Sequence, residues 1–104
     1  RLKEENANDF IEDCYSILMS LIRSKLFSEG YKTIGYSAHE AEISFMENLG
    51  FDEKDIVFMD ELRKFRNQIS YEGKKFDVEY AEKVIAFTKR IYLELNKIIK
   101  KEFS

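Results

Sequence analysis

The chain has 104 residues, of which 44% are hydrophobic and 36% charged, with a formal net charge of -3. This length predicts a single domain, residues 1–104, with a modest core, and the near balance of charge excludes both a disordered polar tail and a general nucleic-acid binder with a basic excess. Proline is absent and the glycines are Gly30, Gly35, Gly50 and Gly73; a strand-rich fold needs more turn residues than that, so an all-α protein is expected.

The first predicted helix runs from Lys3 to Ser28. Phe10, Cys14, Ile17, Leu18 and Leu21 recur at helical spacing, and Ile11, Tyr15, Leu18, Ile22 and Leu26 form a second, overlapping stripe. So wide an apolar arc requires two partners, either two neighbouring helices or one neighbour and another subunit. Cys14 lies inside the arc and is expected as a buried small hydrophobe; as the sole cysteine it forms no internal disulfide, so nothing points to an oxidising compartment. Gly30 ends the helix, and 31–36 is a loop.

Ser37-Ala38-His39-Glu40 then has the pattern of a capping box. It opens a second helix from about Ala38 to Leu49, with Ala38, Ala41, Phe45 and Leu49 on its apolar face, Met46 beside them, and Gly50 as its stop. Asp52 is the expected cap of the third helix, with Asp55 three residues on and Phe51 and Ile56 at the positions of a hydrophobic staple. Ile56, Met59, Leu62, Phe65 and Ile69 carry that helix to about Ser70–Tyr71. Asp77 caps the fourth, whose stripe of Ala81, Val84, Ile85, Thr88, Ile91, Tyr92, Leu95, Ile98 and Ile99 runs to the end. Short joints between four amphipathic helices predict an antiparallel, up-and-down four-helix bundle. No apolar run approaches the roughly 18 residues of a membrane span, no signal-peptide pattern is present, and a cytoplasmic location is expected. The chain opens on Arg1 rather than methionine, which leaves a segment upstream open.

The most informative stretch is Arg66-Asn67-Gln68-Ile69-Ser70-Tyr71, at the end of the third helix. It follows Asp60-Glu61-Leu62-Arg63-Lys64-Phe65. Earlier come Gly30-Tyr31-Lys32, Ser37-Ala38-His39-Glu40-Ala41 and Phe45-Met46-Glu47-Asn48-Leu49-Gly50-Phe51. In these segments and in its succession of helices, most of the chain resembles the HEPN domains, small helical modules often found beside nucleotidyltransferases. Their usual motif is Arg-Asn-x-x-x-His, and here Tyr71 stands in the histidine position.

Active members of that family are metal-independent ribonucleases, commonly the toxin half of a toxin–antitoxin pair, with arginine and histidine meeting at a cleft formed across a dimer. The resemblance implies that Arg66 is a phosphate ligand, that Asn67 orients it, and that Tyr71 takes the place of the general base. A guanidinium fork suits a phosphate. A free tyrosine, however, is only about 0.1% phenolate at neutral pH, and general acid–base help is worth about 10²–10⁴-fold. The expectation is therefore a weak or absent nuclease, with Tyr71 more at home as a core or interface aromatic. Arg63, Lys64, Arg66 and Lys74 form the expected nucleotide- or RNA-binding set. Interrupting carboxylates at Asp60, Glu61, Glu72 and Asp77 allow the plainer reading of a solvated face with local ion pairs.

His39, the single histidine, falls in the capping box and is expected to be structural. One histidine and one distant cysteine give no metal-ligand spacing, so no metal or cofactor is expected. Three functions follow. The favoured one is a non-catalytic or weakly active HEPN-like module that forms a homodimer, binds a nucleotidyltransferase-type partner and holds a nucleotide or RNA phosphate through Arg66. The others are an endoribonuclease toxin using Arg66, and a plain helical interaction domain.

Overall fold

The computed structural model describes residues 2–28, 38–73 and 75–103, with side chains for all of these except 38–40, 70 and 99–103. These residues form four α-helices and no strand: α1 (Ala7–Ser28), α2 (Ala38–Asn48), α3 (Glu53–Glu72) and α4 (Val78–Phe103), with a 3-10 turn at Glu4–Asn6 ahead of α1. The all-helical expectation is met. Gly30, the 31–36 loop and Ser37 of the expected capping box lie outside the described residues.

The ends of the helices follow from local chemistry. The expected start at Lys3 is instead a tight turn, because the Lys3 N–H donates to Asn6 Oδ1 at 2.7 Å, a side-chain bond that competes with the helical ladder. α2 closes in a Schellman motif: the Gly50 N–H donates to Glu47 O and the Phe51 N–H to Met46 O, with Gly50 in the left-handed region at φ 90°. α3 closes on Gly73, also left-handed at φ 66°, whose N–H donates to Gln68 O. Asp77 caps α4 as expected, its Oδ1 accepting from the Tyr80 N–H at 2.8 Å. Asp52 holds the N-cap position of α3 but makes no side-chain cap bond; its carbonyl accepts from Asp55 and Ile56 instead.

The core is built around α1, which packs against α2, α3 and α4. Ala7, Ile11, Tyr15, Leu18 and Ile22 are at most 1% exposed. The wide arc is thus satisfied largely within one chain, by three neighbours rather than two. Cys14 is buried as expected, whereas Ile17 and Phe27 remain half exposed. From α4 the core takes Ala81, Val84, Ile91 and Leu95, all fully buried, together with Thr88, whose hydroxyl donates to Val84 O at 2.8 Å.

Strict up-and-down alternation is corrected on one point. α3 and α4 do run antiparallel: Asp55 meets Arg90, Phe58 packs edge-on against Phe87 with centroids 4.5 Å apart, and Phe65 lies 5.3 Å from Tyr80. α1 and α4, however, run the same way. At their starts Asn8 Oδ1 accepts from the Phe76 N–H at 2.9 Å, and further along Ile17 faces Thr88 and Tyr92. α3 therefore runs against α1 and begins at the end where α1 finishes. The reason is the length of α2, which at 11 residues spans about 16 Å and cannot carry the chain back along the 22 residues of α1.

Two capping variants separate these helix starts. Asp77→Ala is expected to lose about 1 kcal/mol of stability, read as a lower urea midpoint. Asp52→Ala, which removes no cap bond, is expected to lose less.

A candidate anion-binding recess around Arg66

Along α3, Asp55, Met59, Leu62, Arg66 and Ile69 follow one another at spacings of four and three, which places them on one line of the helix. Met59 and Leu62 are fully buried, Asp55 is 7% exposed, and Ile69 packs against the core. Arg66 thus stands on the inward line, where an apolar residue is the ordinary occupant. Its guanidinium carbon lies 5.9 Å from the centroid of the Tyr15 ring, and the ring is 1% exposed. A cation over an aromatic face is worth about 1 kcal/mol.

Two inward carboxylates are matched by opposite charge. Glu42, fully buried, accepts from Arg23 Nε at 2.6 Å and from Nη2 at 3.1 Å. Asp55 accepts from Arg90 Nη2 at 2.6 Å and Nη1 at 3.0 Å. Arg66 has no carboxylate partner among the described residues. It opens instead onto a recess walled by Tyr15, Ser16, Met19, Ser20 and Arg23 of α1. No carboxylate among the described residues lines this recess. A wider hollow, where α1 and α4 begin, is lined by Glu4, Glu5 and Asp77 beside Lys75, a charge pattern unsuited to an anion.

Burial pushes the Tyr15 phenol up to about 12, with Arg63 and Arg66 pulling it partly back. Tyr15 is therefore neutral at physiological pH and serves as a wall and a π face, not as a base. Tyr80 is likewise raised, by burial and by Glu61.

The remaining expected site residues are dispersed. Arg63 Nε donates to Asp60 Oδ1 at 2.9 Å, and Lys64 Nζ lies 3.4 Å from Asp60 Oδ2. The bond from Arg63 holds the Asp60 carboxyl below its ordinary range. Both cations are thus paired with Asp60; Lys64 lies on the solvated face, whereas the Arg63 side chain is 19% exposed and also acts on the Tyr15 phenol. Asn67 is exposed. Tyr71 is 86% exposed, so it is not a core aromatic of the protomer. Five residues along a helix turn the side-chain direction by about 140°, so Arg66 faces α1 while Tyr71 faces solvent. Lys74 lies outside the described residues; His39 is in α2, and its side chain lies outside them too.

Ser16, Ser20 and Arg23 were not among the expected site residues. Their signal was present: they recur at helical spacing as polar interruptions beside the apolar arc of α1. What the sequence could not supply was the neighbour that faces them.

Among the described residues no group of three or more histidine, cysteine, aspartate or glutamate side chains is placed to hold a metal ion. Nor is any helix among them long and apolar enough to cross a membrane. Compared with protein-family models, curated proteins and solved structures, the chain matches none.

The Tyr15 environment has a measurable consequence. A phenol raised in the folded state from 10 to about 12 contributes stability that is intact below pH 10 and is lost as pH rises towards 12. Ultraviolet titration of the wild type minus Tyr15→Phe should show this one phenolate appearing near 12 rather than near 10.

Proposed function

We propose that this chain is a HEPN-like helical module without strong ribonuclease activity, which binds the phosphate of a nucleotide or RNA through Arg66. It acts as a homodimer and serves a partner protein of nucleotidyltransferase type. The observation that carries the phosphate-binding part is the position of Arg66. Arg66 is a half-buried cation on the inward line of its helix, it has no carboxylate partner among the described residues, and it opens onto a recess where an anion can reach it. An anionic ligand there would gain a charge-assisted contact.

The surroundings of the same residue support weak or absent catalysis. In-line cleavage by a 2′-hydroxyl needs a base within reach of the arginine-bound phosphate. Within a protomer Tyr71 points away from Arg66, and the tyrosine that does lie beside Arg66 holds its proton to about 12. The homodimer and the partner are supported by the resemblance of 30–32, 37–41, 45–51 and 60–67 to the HEPN family and by the half-exposed apolar residues left on α1 and α4.

Cleavage of labelled single-stranded RNA in EDTA tests the catalytic side. Neither the wild type nor Arg66→Ala is expected to cut; cleavage by the wild type that disappears in Arg66→Ala would establish a ribonuclease and overturn the reading. Arg66→Met tests the binding side. It is expected to raise stability by about 1 kcal/mol, since it places an apolar side chain on the core line. It should also abolish nucleotide or RNA binding. A variant that is less stable than the wild type, and binds as well, would show that Arg66 is structural.

A further inference from the structure

The recess has a second set of donors, contributed by α1 rather than by the helix that bears Arg66. Ser16, Ser20 and Arg23 line it together with Arg66. The hydroxyls of Ser16 and Ser20 have no hydrogen-bond partner among the described residues. Arg23 spends Nε and Nη2 on Glu42, and its Nη1 has no acceptor among them. The ion pair with a fully buried carboxylate anchors Arg23 while its side chain stays 39% exposed. On the floor, Tyr15 and Met19 are 1% and 3% exposed.

Resting on the reading of Arg66 as an anion ligand, we propose that this recess selects a terminal phosphate monoester, as carried by a nucleotide or an RNA end, over a phosphodiester. A monoester presents three acceptor oxygens and about -1.5 to -2 charges at neutral pH. That matches the Arg66 fork, Arg23 Nη1 and two hydroxyls. A diester offers two free oxygens and a single charge, so part of this donor set is left unmatched. Its chain must also leave the phosphorus on two sides, and the buried floor of Tyr15 and Met19 closes one of them. Ser16, Ser20 and Arg23 are thus specificity-determining residues, and Arg66 is the ligand they refine.

The test is equilibrium binding of short RNAs of one sequence, carrying a 5′-phosphate, a 3′-phosphate or no terminal phosphate, with a nucleoside monophosphate as a further ligand. The proteins are the wild type, the double variant Ser16→Ala/Ser20→Ala and Arg66→Met. A terminal phosphate should tighten binding to the wild type by roughly tenfold or more, and the double variant, altered only at exposed positions, should lose that preference. Nucleoside monophosphate binding as tightly as the phosphorylated RNAs assigns the site to free nucleotides, and weaker binding assigns it to RNA ends; both support the proposal. Equal affinity for all three RNAs, lost in Arg66→Met, overturns monoester selectivity and leaves the Arg66 reading standing. Binding of any kind that survives in Arg66→Met overturns both.

Discussion

Helix α1 carries apolar residues over more of its circumference than one neighbour can cover, and the other elements are arranged by the need to cover them. Burying a large aliphatic or aromatic side chain is worth roughly 1.5–3 kcal/mol as an upper estimate. Ile11, Tyr15, Leu18 and Ile22 each lie at 0–1% exposure. α4 covers one flank and runs with α1; α3 covers another and runs against it; the short α2 closes the remainder. Loosening α1 would expose the inner faces of all three partners at once, so the domain has a single core rather than a series of pairwise seams.

A core this small leaves little room for charge, and the inward charges divide by how they are compensated. Glu42 and Asp55 are each held by a bidentate arginine from another helix. Such pairs add little net stability, because desolvation cancels most of the attraction, but they fix register. Arg23 ties α2 to one level of α1, and Arg90 ties the start of α3 to one level of α4. Arg66 is set against an aromatic face, which supplies attraction without neutralising the charge. Among the described residues no carboxylate pairs with Arg66, so its charge is left open to the recess. A carboxylate in the place of Tyr15 would have extinguished it.

Much of the fold was legible in the sequence because the helices are strongly periodic and their ends carry specific chemistry. Gly50 and Gly73 stop helices by adopting positive φ, and Asp77 caps as its position implied. Asp55 misled, since its place three residues after Asp52 reads as part of a capping pattern, while its carboxylate goes to Arg90, 35 residues away. Helix direction was illegible for a similar reason. Short joints imply alternation only when every helix spans the bundle, and the partners that show α2 does not are distant in sequence. At the recess, Arg66 was the residue that the sequence singled out. Its companions were not, because Ser16 and Ser20 are ordinary surface residues until α3 is placed beside them. Tyr71 shares a motif with Arg66 yet points elsewhere, since adjacency along a helix does not fix side-chain direction.

The parallel run of α1 beside α4 bears on how the molecule comes to fold. The contact of Asn8 with Phe76 spans 68 residues, so this pairing closes most of the chain into a loop. Such closure is entropically slow. The α3–α4 hairpin, held by the rings of Phe58, Phe65, Phe76, Tyr80 and Phe87, joins residues closer in sequence, and α1 docks against both of its helices. Arg66 belongs to the hairpin, while Tyr15, Ser16, Ser20 and Arg23 belong to the helix that docks. The recess therefore exists only while α1 is seated on α3, and an anion that bridges its two sides would slow the release of α1 and lengthen the lifetime of the native state.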